Sequence, residues 1–168
     1  MTSSTLILDL ADSAATEQLG AALASALRPG LCIFLEGDLG AGKTTLVRGL
    51  LRAVGHSGKV KSPTFTLLES YAISSLNFPL YHFDFYRFSH PDEFIEAGLD
   101  EFFGQTGEQA GVCLVEWPDK AGAHLPQPDL RIALDVVGEA RRARVSGDTP
   151  QGVACLGRLS AGRSLPGP

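Results

Sequence analysis

Apolar residues along this chain fall into two rhythms, and the alternation between them predicts an α/β fold. Thr5–Leu10 reads as a first strand. Asp12 or Ser13 then caps a helix running to about Leu27, with apolar positions at 19, 22, 23, 26 and 27. Arg28-Pro29-Gly30 ends it. Leu31–Leu35 is a short unbroken apolar run, the pattern of a buried strand. Thr44–Val54 returns to helical spacing, apolar at 46, 47, 50, 51 and 54, and Gly55 is placed to stop it.

Past a basic, glycine-containing loop at His56–Lys61, Ser62-Pro63-Thr64 leads into a strand predicted over Phe65–Tyr71. Ser74–Asn77 reads as a turn, and a strand follows at Leu80–Phe85. The short connection favours an antiparallel pair. Ser89 or His90 opens a short helix, since Pro91 suits a first turn and Asp92 and Glu93 suit its positive end. Asp100–Phe103 is a further helical turn. Val112–Val115 is a second wholly apolar run, and it ends on Glu116. Pro118–Pro128 is an irregular loop, and Leu130–Val137 with Arg142–Ser146 form a late hairpin or two strands. From Gly147 the chain is rich in Gly, Ser, Arg and Pro. That composition predicts a weakly ordered tail, residues 147–168, after one domain over 1–146. Strands interleaved with helices, two of them apolar throughout, give a single-domain α/β fold with a central mixed, largely parallel sheet flanked by helices.

Composition narrows the class without changing the fold. The chain has 168 residues, 44% hydrophobic and 20% charged, as in an ordinary soluble domain. Nineteen acidic against fourteen basic residues leave a net charge of −5, which argues against a protein that coats nucleic acid. Arg48, Arg52, Lys59 and Lys61 could still form a local basic face, which reads first as solvated helix surface; direct contact with a nucleic acid stays open. No apolar run approaches the ~20 residues that span a bilayer. The N-terminus lacks the pattern of a signal peptide, so the cytoplasm is the expected location. Cys32 and Cys113 sit in strand-like runs and read as buried free thiols, while Cys155 falls in the tail. His56, His82, His90 and His124 are scattered and form no ligand pattern.

The chemistry enters with Gly37-Asp38-Leu39-Gly40-Ala41-Gly42-Lys43-Thr44-Thr45, a complete G-x-x-x-x-G-K-[ST] between the apolar strand and the helix. Strand, glycine loop, helix is the order such a P-loop needs. Glycines permit a tight turn, so the amides of residues 38–45 can converge on phosphate oxygens at the positive end of the helix. Lys43 is placed to reach the β- and γ-phosphates and Thr44 to ligate Mg²⁺. Two acids stand at predicted strand tips, Glu116 and Asp84, where the ligand crevice of an open α/β sheet lies. Either could orient the metal. Ser62-Pro63-Thr64 occupies the position of a GTPase switch segment, and Trp117 leaves its strand at the same crevice or packs beside it.

These motifs in this order resemble the TsaE family, small bacterial P-loop ATPases required to make threonylcarbamoyladenosine on tRNA. The resemblance rests on the P-loop, Lys61-Ser62-Pro63-Thr64-Phe65-Thr66, Tyr81-His82-Phe83-Asp84-Phe85-Tyr86-Arg87 and Leu114-Val115-Glu116-Trp117-Pro118, and covers roughly residues 5 to 146. It implies a P-loop NTPase-like fold with ATP and Mg²⁺ as cofactors. Lys43 and the amides of Asp38, Leu39, Gly40, Ala41, Gly42, Thr44 and Thr45 would hold phosphates, and Thr44 with Glu116 would hold the metal. Asp84, Thr64 and Trp117 would serve hydrolysis and phosphate sensing, and Ser13 and Arg141 would border the adenine. The connection Ala72–Phe78 is a little long for the family and puts no site residue in doubt. The implied activity is a weak ATPase that works with the TsaD and TsaB proteins; Arg87 is the nearest arginine to serve it in cis. A small P-loop kinase and a nucleotide-gated interaction module are the alternatives the motifs leave open.

Overall fold

A computed structural model describes residues 4–162. The two wholly apolar runs become β2 (Cys32–Glu36) and β5 (Val112–Glu116), adjacent and parallel at the centre of a seven-stranded sheet. Both are buried on both faces, which is what a continuous apolar run requires. In chain order the other strands are β1 (Thr5–Leu10), β3 (Leu68–Tyr71), β4 (Leu80–Asp84), β6 (Leu130–Val137) and β7 (Ala140–Gly147). The sheet order is β1-β7-β6-β2-β5-β4-β3, with β6, β2, β5 and β4 mutually parallel. β7 and β1 continue antiparallel at one edge and β3 at the other, so the sheet is mixed as expected.

Three helices pack one face: α1 (Ser13–Ala26), α2 (Lys43–Ala53) and α4 (Pro150–Ala161), over Leu10, Ile33, Leu35, Leu114, Ile132 and Leu134. Asp12 caps α1, its carboxylate accepting from the Ala15 amide at 2.9 Å. α1 and α2 meet backbone to backbone. A Cβ on Gly20 would strike the Leu46 carbonyl oxygen, and one on Gly49 would strike that of Glu17.

Among the described residues the other face is covered beneath β2, β5 and β4. There Phe83, Phe85, Cys32, Cys113 and Val115 meet an aromatic cap of Phe88, Phe94 and Leu99. Phe88 comes from the loop after β4, Phe94 from the short helix α3 (Glu93–Glu96) and Leu99 from a 3-10 turn at Leu99–Phe102. Among the described residues, no helix is long and apolar enough to cross a membrane.

Two sequence expectations change. The strand predicted from Phe65 begins only at Leu68, because Leu67 takes φ 69° and its amide turns back to the Pro63 carbonyl at 2.7 Å. The predicted tail from Gly147 is instead the end of β7 followed by α4, folded into the same domain. Thr149 caps α4, accepting from the Gly152 amide at 3.0 Å, and Pro150 stands in its first turn. Cys155, Leu156 and Leu159 are buried against the sheet. Residues 163–168 of that tail lie outside the described residues.

Candidate functional site

Everything in the site hangs on the turn between β2 and α2. Gly42 opens α2 at φ 108°, a left-handed conformation that L side chains rarely adopt, and it offers no side chain to cap the helix. The amides of Gly42, Lys43, Thr44 and Thr45 consequently have no acceptor among the described residues. They lie together at the positive end of a helix dipole, a cradle that anionic oxygens would fill.

Lys43 leaves this turn almost buried, with 5% of its surface exposed. Its Nζ donates to the carbonyl of Gly37 and, at 3.3 Å, to that of Asp38, and it stands 4.1 Å from the centre of the Trp117 ring. Burial pulls the Lys43 pKa down, and nearby Glu116 and Asp84 oppose that pull. Trp117 holds its place with a left-handed backbone, φ 56°, ahead of Pro118, and its ring packs on Tyr86 with centroids 5.0 Å apart.

The parallel register of β4 and β5 sets Asp84 directly beside Glu116 at the strand tips. Both are buried, each with 3% exposure. Thr44 Oγ1 donates to Glu116 Oε2 at 3.2 Å. Asp84 accepts from the Ser62 hydroxyl through Oδ2 and from the Tyr86 amide, at 2.8 Å, through Oδ1. Asp38 to Thr45, Ser62, Asp84, Glu116 and Trp117 line one cavity of about 210 Å³.

A second cavity of about 210 Å³ adjoins the loop on its other side. It brings Ser13 and Arg141 together with Thr16, Thr45 and Glu139. Arg141 also braces the loop, its Nε donating to Ala41 O and its Nη2 to Gly40 O, both at 3.1 Å.

Two residues of the sequence reading stand elsewhere. Thr64 makes no side-chain hydrogen bond among the described residues and does not line the phosphate-sized cavity; Ser62, two residues earlier, does. The Arg87 guanidinium stacks over the Phe65 ring at 4.0 Å, away from the cavity wall. Lys59 and Lys61 border a separate cleft of about 470 Å³ with Phe65 and Tyr71.

Sequence reasoning missed two members, Ser62 and His82. His82 looked like one of four scattered histidines, yet it is fully buried with Nε2 2.6 Å from Glu116 Oε2. The signal was its spacing: two residues before Asp84 on a strand, it must share that acid's face.

The donors suit a hard cation. A threonine hydroxyl and one carboxylate are the sort of pair Mg²⁺ takes when phosphates and waters fill its other positions. Among the described residues there is no cluster of three or more His, Cys, Asp or Glu that could cage a metal unaided.

An open α/β sheet whose central strand feeds a glycine loop and helix, with two acids on the neighbouring strand tips, defines a P-loop-type α/β protein. Residues 10–144 match the family described as "Threonylcarbamoyl adenosine biosynthesis protein TsaE". The chain belongs to the TsaE family. It is 41% identical over 130 residues to a Haemophilus influenzae protein named "tRNA threonylcarbamoyladenosine biosynthesis protein TsaE", covering 77% of this chain and 78% of that one. The Bacillus subtilis protein of the same name is 43% identical over 128 residues, 76% and 75% of the two chains. The crystal structure of Bacillus subtilis YdiB superposes with a TM-score of 0.78 at 31% identity, covering 96% of this chain and 97% of the other.

Proposed function

We propose that this protein binds ATP with Mg²⁺, hydrolyses it slowly, and serves threonylcarbamoyladenosine formation on tRNA as an accessory to the TsaB and TsaD proteins. One observation carries the reading: the unpaired loop amides, Lys43, Thr44, Asp84 and Glu116 converge on a single cavity of about 210 Å³. That set matches the demands of phosphoryl transfer, which asks for positioning and charge stabilisation more than covalent chemistry.

In this reading the unpaired amides of Gly42, Lys43, Thr44 and Thr45 hold the phosphates, with the rest of the loop from Asp38 lining the cavity and the Ala41 amide donating to the Asp38 carbonyl. Lys43 leaves the Gly37 and Asp38 carbonyls to reach the β- and γ-phosphates. Thr44 and Glu116 would hold Mg²⁺, which when bound neutralises charge on the phosphates. Asp84 orients the attacking water or takes its proton, and the adjoining Ser13–Arg141 cavity takes the base. Trp117 flanks Lys43 and excludes water from that side. Among the described residues no arginine lines the phosphate cavity, so basal turnover is slow and rises when partner proteins complete the site.

A small-molecule kinase needs a mobile lid. The segment that would supply it, Ser89–Gly104, contains no arginine, and it is tied down by the fully buried Phe94. The family relationship and this packing both favour the accessory ATPase. Steady-state ATP hydrolysis, measured alone and with TsaB and TsaD, tests the proposal. Slow turnover that the partners accelerate and Asp84→Ala abolishes is the expected result. Fast basal hydrolysis indifferent to Asp84→Ala overturns it.

A further inference from the structure

β4 places two polar side chains on one face, His82 and Asp84, opposite Leu114 and Glu116 of β5. Glu116 does not point straight across to Asp84 alone. It also reaches back diagonally to His82, with Oε2 2.6 Å from the ring Nε2. The same Oε2 accepts from Thr44 at 3.2 Å, and Oε1 lies 3.5 Å from that hydroxyl. His82 has no exposed side-chain surface and Glu116 has 3%. The ring's other nitrogen, Nδ1, is buried and has no partner among the described residues.

A pair like this is an expensive way to fill a core. Burying a carboxylate and an imidazole costs more desolvation than apolar side chains of the same volume would. The surrounding positions, Leu80, Val112 and Leu114, are filled in that apolar manner. The pair is also not isolated: it continues through Glu116 to Thr44 and thus to the cavity wall. With Glu116 ionised, the ring proton sits on Nε2 and Nε2–H donates. One lone pair of Oε2 is then fixed from below. The carboxylate cannot rotate about its terminal bond without losing that bond inside the protein, where no water replaces it.

We propose that His82 is the positioning residue for Glu116, fixing the carboxylate so that its free lone pairs face Thr44 and the cavity where a divalent cation would sit. The proposal rests on the reading of Glu116 as a metal-holding acid. Outer partners that orient a metal-ligating carboxylate typically contribute about 10- to 100-fold in metal affinity.

The test is a Mg²⁺ titration of the full chain saturated with a non-hydrolysable ATP analogue, followed by calorimetry or by Trp117 fluorescence, beside a titration of the analogue without metal. His82→Leu is expected to weaken Mg²⁺ about 10- to 100-fold while leaving metal-free analogue binding unchanged. His82→Gln, whose amide can donate from near the Nε2 position, is expected to recover most of the affinity, and His82→Asn, whose amide stands near Nδ1, is not. That contrast decides the matter even if His82→Leu fails to fold. Equal Mg²⁺ affinity in wild type, His82→Gln and His82→Asn, with only the melting temperature changed, overturns the proposal and leaves a structural histidine. Wild-type protein that binds the analogue with no Mg²⁺ effect, matched by Glu116→Gln, removes the metal role of Glu116 itself; that result is distinct from a wild-type Mg²⁺ effect that His82 variants leave untouched. An Nδ1–H tautomer in ¹H–¹⁵N spectra of the free protein also overturns it.

Discussion

The Ser62 hydroxyl donates to Oδ2 of Asp84, so the acid at the tip of β4 already has a partner from the loop that follows α2. Leu67, five residues on, accepts from the Asp84 amide at 3.1 Å. The loop therefore grips Asp84 at both its side chain and its backbone. Ser62→Ala frees one carboxylate oxygen to swing, whereas Thr64→Ala removes a hydroxyl that bonds nothing among the described residues. We expect Ser62→Ala to lower ATP turnover by roughly 10- to 100-fold, with a much smaller loss for Thr64→Ala. Steady-state kcat for the two variants checks this, and equal losses would remove Ser62 from the site.

The last helix belongs to the fold. Leu159 is fully buried with Cys155 and Leu156 in the core shared by α1, β6 and β7. Arg158 adds bonds from Nε and Nη2 to the Ala26 carbonyl at 3.0 and 2.8 Å, tying α4 to the end of α1. Leu159→Ala is expected to cost about 2–5 kcal/mol. The urea midpoint of the variant measures it; an unchanged midpoint would mean that α4 is dispensable.

The three thiols should be silent in the native protein. Burial pushes Cys113 up to about 12, and it pushes Cys32 and Cys155 up as well. A thiolate is the reactive form, so little exists at pH 8. A thiol-specific reagent is expected to label none of the three cysteines before unfolding and all of them afterwards. Stoichiometric labelling of folded protein at pH 8 would contradict the packing around β2 and β5.

Acid should loosen the aromatic cap from one end. Glu93 accepts from the amides of Ser89 and His90 at 2.7 and 3.0 Å, and those bonds, that from His90 first, hold its pKa below the usual carboxylate value. Asp92 is lowered in the same direction, mainly by its bond with His124. A depressed carboxyl stabilises the fold fully above its unfolded pKa of roughly 4 and loses that contribution as pH falls through the lower folded value. Protection of the amides across residues 89–97, relative to their intrinsic exchange rates, is expected to fall below about pH 4, and Glu93→Gln to show the lower protection already at neutral pH. Exchange in this segment that ignores both acid and the substitution would show that these caps hold nothing.

How far the sequence spoke depended on whether a residue's role was local. The P-loop, β2, β5 and the late hairpin were legible because apolar period and glycine placement are properties of a few consecutive residues. The start of α1 was legible too, with the cap narrowed to Asp12 or Ser13 and Asp12 taking it. β3 was misjudged at its start because the left-handed turn at Leu67 follows from a bond to Pro63, not from propensity. α4 was missed because glycine and serine diluted its composition, although Thr149-Pro150 is a sound opening and Val153, Leu156 and Leu159 recur at helical spacing. Among the candidate site residues, Asp84 and Glu116 ended apolar strands and so announced themselves. His82 was legible only through its two-residue spacing from Asp84, and Ser62 only once the loop after α2 was folded onto the tip of β4.

The glycine contact between α1 and α2 has a mechanical consequence. With Gly20 against Leu46 and Gly49 against Glu17, the two helix backbones touch at these points with no room for a Cβ between them. The glycine loop, the Ser13 end of α1 and Arg141 bracing the loop therefore behave as a single anvil. The opposite jaw is the stretch from Ser62 to Leu67, where Phe65 stands 78% exposed. Under the proposed function, motion passed on from the phosphate site belongs to that exposed stretch rather than to the close-packed pair of α1 and α2.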